Sequence, residues 1–252
     1  TTDCDAVVVG VGGVGSAAAY HLARRGHDVV GIERFDVPHA RGSSHGISRI
    51  LRLPQYETPA YVPLVRRALD NWSALEETHP RQLFHPTGSV AVSAPDEGSV
   101  YTRSKHACET HDIDYEDLSG PALNERFPGY DVPETHRALY QPDGGFLHCE
   151  QCTVAHVEAA HDHGATVRAR ESVEDWSADE SGVVVTTDRG RYTADRMVVT
   201  AGAWTGQLLP ALSGYLQPER QVLGWFQPDH PDRFAPSNFP VFTAVVPEGH
   251  FY

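Results

Sequence analysis

Apolar positions fall into short runs and stripes along this chain, and these set its elements before any chemistry is considered. Ala6-Val-Val-Val9 is a continuous apolar run stopped by Gly10, the pattern of a strand buried on both faces. An alanine-rich helical stretch follows as far as Gly26, and Asp28-Val-Val-Gly-Ile-Glu33 is a second buried strand. From Thr58 to Thr78 the period turns helical, with Pro59 in the first turn and Leu64, Ala68, Leu69, Trp72 and Leu75 as the stripe. Strand-like Gly88-Ser-Val-Ala-Val-Ser93, a polar helix over residues 96–111 and a short helix over 121–127 come next. A hairpin is predicted over 138–148, turning at Pro142-Asp-Gly-Gly145. A helix over 150–163 leads into a strand-rich meander: Thr166-Val-Arg-Ala-Arg170, Val183-Val-Val-Thr-Thr187 and Arg196-Met-Val-Val-Thr-Ala-Gly202. The β pattern resumes in Gln221-Val-Leu-Gly-Trp-Phe226 and Val241-Phe-Thr-Ala-Val-Val246. There is no internal repeat or low-complexity segment.

The turn after the first strand reads Gly10-Val-Gly12-Gly13-Val-Gly15. Gly10 permits the tight turn, Gly12 lets backbone N–H groups approach a pyrophosphate, and Gly15 lets the helix pack on the strand. The helix N-terminus then faces the phosphates. Glu33 closes the second strand, where a carboxylate accepts hydrogen bonds from an adenosine ribose. Glycine-rich turns also arise for steric reasons alone. Here the strand before, the helix after, small residues at Ala19 and Gly26, and the acid together point to an adenine dinucleotide. A second glycine turn, Thr200-Ala201-Gly202-Ala203-Trp204, falls beside the same ligand, a feature of two-dinucleotide-binding-domain flavoproteins that is uncommon in NAD dehydrogenases. Between them, residues 34–46 form a loop rich in Pro, His, Gly and Ser of the size that carries function.

The chain has 252 residues, enough for one large domain or two modest ones. Its formal net charge is -14, and Lys105 is the single lysine. Such a surface disfavours nucleic acid and anionic membranes as partners. The acidity fits a high-salt cytoplasm, and the arginine bias fits a high-GC genome equally well. No apolar run reaches the length of a membrane span, and the first strand begins within a few residues of Thr1, so a cytoplasmic protein without a signal peptide is expected. Cys4, Cys108, Cys149 and Cys152 do not space a secreted disulfide framework, and Cys149-Glu-Gln-Cys152 reads as buried thiols opening a helix in preference to a redox pair. His156, His161 and His163 share no helical face and no HExxH occurs, so no metal is expected and these histidines read as a solvated face.

With these residues in view, the chain resembles the monomeric sarcosine oxidase and N-methyltryptophan oxidase family, FAD enzymes of the D-amino-acid-oxidase fold. The likeness runs from the glycine fingerprint through residues 38–52, the 142–152 segment, Thr200-Ala-Gly-Ala-Trp204 and Leu216-Gln-Pro-Glu-Arg-Gln-Val222 to Tyr252, essentially the whole chain. Gly42-Ser43-Ser44-His45-Gly46 with Arg49 and Arg52 is its most specific part. It implies an α/β fold: a Rossmann-like FAD-binding domain (1–83 and 150–214) of the two-dinucleotide-binding-domain flavoprotein type. An interleaved antiparallel-sheet α+β substrate domain (84–149 and 215–252) accompanies it, incomplete at the C-terminus.

The resemblance also implies roles. Gly10, Gly12, Gly13, Val14, Gly15, Glu33 and Arg34 would hold the adenosine diphosphate half of FAD, with Val173 at the adenine. Ala201, Gly202 and Trp204 would contact the cofactor from the second glycine turn. Ser43, Ser44 and Arg49 would lie along the flavin, where a guanidinium stabilises charge developing on the ring. Arg52 would pair with a substrate carboxylate through a bidentate fork. His45 would act beside the ring as a polar or proton-relay group, and Tyr252 would line the substrate pocket and the catalytic centre. Bland readings stand beside these: arginines neutralising nearby acids, serines as N-caps, His45 as a turn residue. The implied reaction removes a hydride equivalent from a secondary amine such as sarcosine or another N-methyl amino acid, giving an imine, with oxygen as acceptor and hydrogen peroxide as product.

The turn Pro247-Glu-Gly249 ordinarily precedes a returning strand. The family's flavin-linking cysteine, its oxygen-activating lysine and its second catalytic histidine would lie past Tyr252. The expectation is therefore a fragment, a split gene product or a remnant that binds FAD weakly and noncovalently, if at all, and is inactive alone. The unfinished sheet points to association with a chain supplying the rest. A related FAD dehydrogenase with another acceptor, a non-catalytic subunit and a plain NAD dehydrogenase are the competing readings. The glycine turn at Gly202 and the 42–52 cluster disfavour the last.

Overall fold

The structure, a computed structural model, describes residues 1–96 and 98–252; Glu97, inside the expected polar helix, lies outside the described residues. The first segment carries β1 (Thr2–Val9), α1 (Gly13–Ala23) and β2 (Val29–Ile32). The second carries β3 (Ser48–Leu51), α2 (Val62–Glu76), β4 (Phe84–His85), β5 (Ser89–Ser93), α3 (Val100–Thr110), β6 (Glu116–Ser119), α4 (Gly120–Arg126), β7 (Arg137–Gln141) and β8 (Gly145–His148). The third carries α5 (Cys149–Asp162), β9 (Thr166–Arg168), β10 (Val173–Asp179), β11 (Gly182–Thr187), β12 (Arg191–Val199) and α6 (Thr205–Leu208). β13 (Val241–Val246) and β14 (Gly249–Phe251) close the chain. Two units result: Thr1–Ile47 with Cys149–Leu223, and Ser48–His148 with Gly224–Tyr252.

The first unit is a six-stranded sheet in the order β10-β11-β12-β1-β2-β9. β1 runs parallel to both β12 and β2, and β2 runs parallel to β9, while β10, β11 and β12 form an antiparallel meander. A parallel centre is buried on both faces, which is why β1 and β2 read as unbroken apolar runs. Val7, Val9, Val30, Ile32, Val183, Val185 and Tyr192 form the core, each aliphatic side chain contributing roughly 1.5–3 kcal/mol by leaving water. Trp176 caps it, donating its indole N–H to the Leu208 carbonyl at 2.8 Å. α1 packs on α5, with Ala19 and Tyr20 buried on α1, Ala155, His156 and Ala160 buried on α5, and the Tyr20 and His156 rings meeting between them.

The second unit holds a five-stranded sheet, β14-β13-β5-β7-β6, and a three-stranded sheet, β3-β8-β4. β13 joins β5 in parallel, with Thr243 beside Ala91, and turns back into β14. Val90, Val92, Leu123 and Ala138 are its core, with Tyr130 and Phe242 packed against them.

Several expectations change. Residues 48–83, expected with the cofactor domain, cluster with the second unit because β3 pairs with β8, Arg49 opposite Leu147; residues 215–223 cluster with the first. The predicted 138–148 hairpin is two strands in two different sheets. The Gly144 carbonyl accepts from Gly88, and a Cβ on Gly145 would lie 2.0 Å from the His85 carbonyl, so the chain is handed to the smaller sheet at this glycine pair. Gln221–Phe226 forms no strand: alternation without a neighbouring edge to bond leaves Val222, Trp225 and Phe226 exposed. Leu64 points to solvent, and the buried side of α2 is Val62 and Leu75. His156 is no part of a solvated face; it is buried with its ring 5.8 Å from that of Tyr20. β10 is an element the sequence pattern does not predict, because its acidic residues mask the alternation of an edge strand.

Candidate functional site

The glycine turn is dictated by contacts that leave no room for a side chain. Gly10 has φ +94°, and a Cβ there would lie 2.6 Å from the Thr200 carbonyl; at Gly15 it would lie 1.8 Å from the Gly10 carbonyl. Thr200 locks the second glycine turn to the first, its hydroxyl donating to Gly10 O at 2.7 Å and its N–H to Val9 O at 2.8 Å. α1 then begins at Gly13 with no side-chain cap on its N-cap residue Gly12 and no acid in its first turn. Its exposed amides and dipole are left for an anion, and Ser44 Oγ already accepts one of them, Gly13 N–H, at 3.0 Å.

These features surround one cavity of about 350 Å³ in the first unit. Gly10, Gly12, Gly13 and Val14 form one side of it, and Glu33, Arg34, Ser43 and Ser44 another. Val173, Ala201, Gly202 and Trp204 line it as well. Gly15 lies buried behind the turn and serves packing. His45 is half-buried in the same unit but outside that lining, while Arg49, Arg52 and Tyr252 belong to the second unit.

Glu33 is buried, yet its carboxylate is satisfied: Oε2 accepts from Val11 N–H at 2.8 Å and Oε1 from Phe35 N–H at 2.9 Å. A carboxylate oxygen has two lone pairs, so each retains one for a ribose hydroxyl. His39 Nε2 stands 3.5 Å from Oε1, and Phe35 meets Trp204 edge to face at 5.4 Å. A second buried acid, Glu171, lines the same cavity and has no motif to mark it. Its Oε1 accepts from Thr187 Oγ1 at 2.6 Å and from the Tyr192 hydroxyl at 2.7 Å, and its N–H bonds Glu33 O at 2.9 Å. Burial, then the bond to Glu171, pushes the Tyr192 phenol up to about 12. An uncapped helix terminus, two glycine turns and a buried acid with spare lone pairs fit the pyrophosphate and adenosine of FAD.

In the second unit Arg52 follows β3 and faces a different set of groups. Its Nη2 lies 2.5 Å from Glu57 Oε1, and its guanidinium carbon lies 4.3 Å from the Tyr56 ring centroid. Tyr56 meets His250 edge-on at 6.3 Å, and His250 meets Tyr252 at 5.9 Å, so the structure does bring Arg52 and Tyr252 into one aromatic cluster. Burial, with Glu57 adding to it and Arg52 opposing, raises the Tyr56 phenol above its ordinary value. Among the described residues no group of three or more His, Cys, Asp and Glu is placed to hold a metal ion, and no helix is long and apolar enough to cross a membrane.

The sequence profile of the FAD dependent oxidoreductase (DAO) family matches residues 5–252. This chain belongs to that family. Among its relatives, monomeric sarcosine oxidase of Bacillus sp. (strain NS-129) is 38% identical over all of this chain and 66% of its own length. N-methyl-L-tryptophan oxidase of Yersinia pestis (strain Pestoides F) is 34% identical over 99% of this chain and 66% of its own length. The chain thus spans just under two thirds of these curated relatives. The open form of NikD, an unusual amino acid oxidase essential for nikkomycin biosynthesis, superposes with a TM-score of 0.75 at 35% identity, over 84% of this chain and 55% of its own. The mixed α/β architecture is that of FAD-dependent amino-acid oxidases, and the family's cofactor is FAD.

Proposed function

We propose that this chain binds FAD in the first unit's cavity and contributes Arg52 as the carboxylate anchor of an oxidoreductase acting on CH–NH bonds. The substrate class is a secondary amine bearing a carboxylate, such as sarcosine or another N-methyl amino acid, with oxygen as acceptor. The observation that carries this is the single cavity joining both glycine turns, the uncapped α1 terminus and Glu33. The names of its relatives supply the substrate class.

FAD, when bound, supplies the two-electron acceptor for the C–H bond beside the amine nitrogen. The α1 amides and the Ser44 hydroxyl orient the pyrophosphate, and the spare lone pairs of Glu33 fix the ribose. Arg52 presents a planar fork to the substrate carboxylate, and its field is local, so an overall charge of -14 does not forbid an anionic substrate. Arg49 and Ser43 are assigned to the flavin, His45 to a polar role beside it and Tyr252 to the substrate pocket.

The test is an absorbance spectrum of the purified 252-residue chain with added FAD, before and after anaerobic sarcosine. A retained flavin band that bleaches supports the assignment. A chain that takes up no FAD at saturating cofactor refutes it.

A further inference from the structure

Between Ser44 and Arg49 the backbone passes through two consecutive left-handed residues, Gly46 at φ +103° and Ile47 at φ +72°. Glycine adopts this freely; a β-branched isoleucine is among the residues least suited to it. Ile47 gains no burial in return, since its side chain is 51% exposed. Something else must hold the turn.

Glu150, the second residue of α5, supplies it. Its Oε1 accepts from Gly46 N–H at 2.7 Å, and its two oxygens share Ile47 N–H at 3.3 and 3.2 Å. The Cys149 N–H donates to Ile47 O at 3.1 Å, so donors and acceptor of the turn are all engaged by the start of one helix. Two successive amides converging on one carboxylate form an anion nest, and the helix N-terminus favours the same negative charge. Burial would raise the Glu150 carboxyl, but the bonds from Gly46, its own amide and Ile47, with the charge of nearby His45, outweigh it and keep the group below the usual carboxylate range. Two residues upstream, Ser44 is tied to the α1 terminus through Gly13 N–H. The 44–47 segment is therefore anchored at both ends inside the first unit.

We infer that Glu150 is a positioning residue: its carboxylate clamps the strained Gly46–Ile47 turn so that Ser43 and Ser44 are presented at the cofactor cavity. This rests on the FAD reading above and deepens it. No cofactor contact by Glu150 itself is implied.

The full chain is compared as wild type, Glu150→Gln, Glu150→Ala and Glu150→Ala combined with Ile47→Gly. Amide hydrogen exchange at Gly46 and Ile47 is read without cofactor, and the FAD dissociation constant by fluorescence titration. Glu150→Ala is expected to speed exchange at both amides about tenfold or more, to leave the β1 and β12 amides unchanged, and to weaken FAD about tenfold. Glu150→Gln keeps an acceptor for the same amides and stays within about threefold of wild type. Ile47→Gly removes the strain the clamp opposes and recovers much of the affinity lost in Glu150→Ala. Unchanged exchange in Glu150→Ala, or fast exchange with undiminished FAD affinity in a chain that binds FAD, overturns the positioning role while leaving the FAD reading intact. A wild-type chain that binds no FAD, with the exchange contrast present, overturns the FAD reading and with it the cofactor half of the inference. Loss of β1 protection in Glu150→Ala would show general destabilisation and overturn the specific role.

Discussion

Arg52 Nη2 and Glu57 Oε1 stand 2.5 Å apart, five residues from one another along the chain. The carboxylate engages one nitrogen of the fork that the functional reading assigns to a substrate anion, so the two compete. Both side chains keep some solvent access, which limits the pair to the worth of a screened ion pair. Glu57→Gln is expected to tighten binding of an N-methyl amino acid about two- to fivefold, and Arg52→Lys, which loses the planar fork, to weaken it about tenfold or more. Both are read from the substrate-induced shift of the flavin band. Weaker binding in Glu57→Gln would show that the carboxylate orients the fork and does not compete for it.

Buried His156 makes the first unit sensitive to acid. Burial, with His21 adding to it, lowers its pKa from 6.5 to about 4. The folded state therefore holds a neutral ring while the unfolded chain takes up a proton below about pH 6.5. Its share of stability is intact above that pH and falls through the window down to about pH 4, by about 3 kcal/mol in total. Urea unfolding at pH 7, 5.5 and 4.5 is expected to show this loss in the wild type and a flatter profile in His156→Leu. Parallel profiles would place the acid sensitivity elsewhere.

At the ribose corner, Glu33 bonds two backbone amides, the buried one of Val11 and the partly buried one of Phe35. Glu33→Ala leaves both unpaired and is expected to cost about 2–5 kcal/mol of stability. Glu33→Gln turns an N–H toward one of those donors and is expected to cost about 2 kcal/mol. Denaturant midpoints of the cofactor-free chain measure both, separating the effect from any loss of FAD contact. A Gln variant as stable as wild type would mean that one of these amides finds another acceptor.

Two glycines with different surroundings give a matched pair. A Cβ at Gly15 would meet the Gly10 carbonyl and the Thr200 hydroxyl, whereas Gly26, at φ +90°, has nothing within 4 Å of its ideal Cβ. Gly26→Ala is expected to cost only its backbone strain, about 1–2 kcal/mol. Gly15→Ala must push α1 off the strand and is expected to cost at least about 3 kcal/mol and FAD binding as well. Thermal melts with and without FAD decide it. Equal effects would mean that the α1 contact yields more easily than the spacing indicates.

What the sequence made legible follows from where the chain obeys local rules. β1, α1, β2 and Glu33 could be read because a buried parallel strand, a steric glycine turn and a terminal acid each leave a residue-level trace within thirty-odd positions. Glu171 and Glu150 left none, since their importance lies in amides and hydroxyls brought to them from 16 to 104 residues away. The false hairpin over 138–148 arose for the same reason: turn chemistry at Asp143-Gly144 was real, but which edge receives β8 is decided by β3 and β4. Gln221–Phe226 shows the converse, a strand-like pattern without a ladder.

The pairing of β12 with β1 has a consequence for biosynthesis. Tyr192 to Val199 must lie beside Thr2 to Val9 before the central sheet closes, and Val241 to Ala244 must reach Ser89 to Val92 before the other sheet does. Loops of this length close slowly, and an emerging chain holds its most apolar strand, Ala6 to Val9, without a partner on that side for nearly two hundred residues of synthesis. The nascent protein is therefore expected to depend on chaperone cover late into translation, and chains stopped before β12 to be cleared as unfolded.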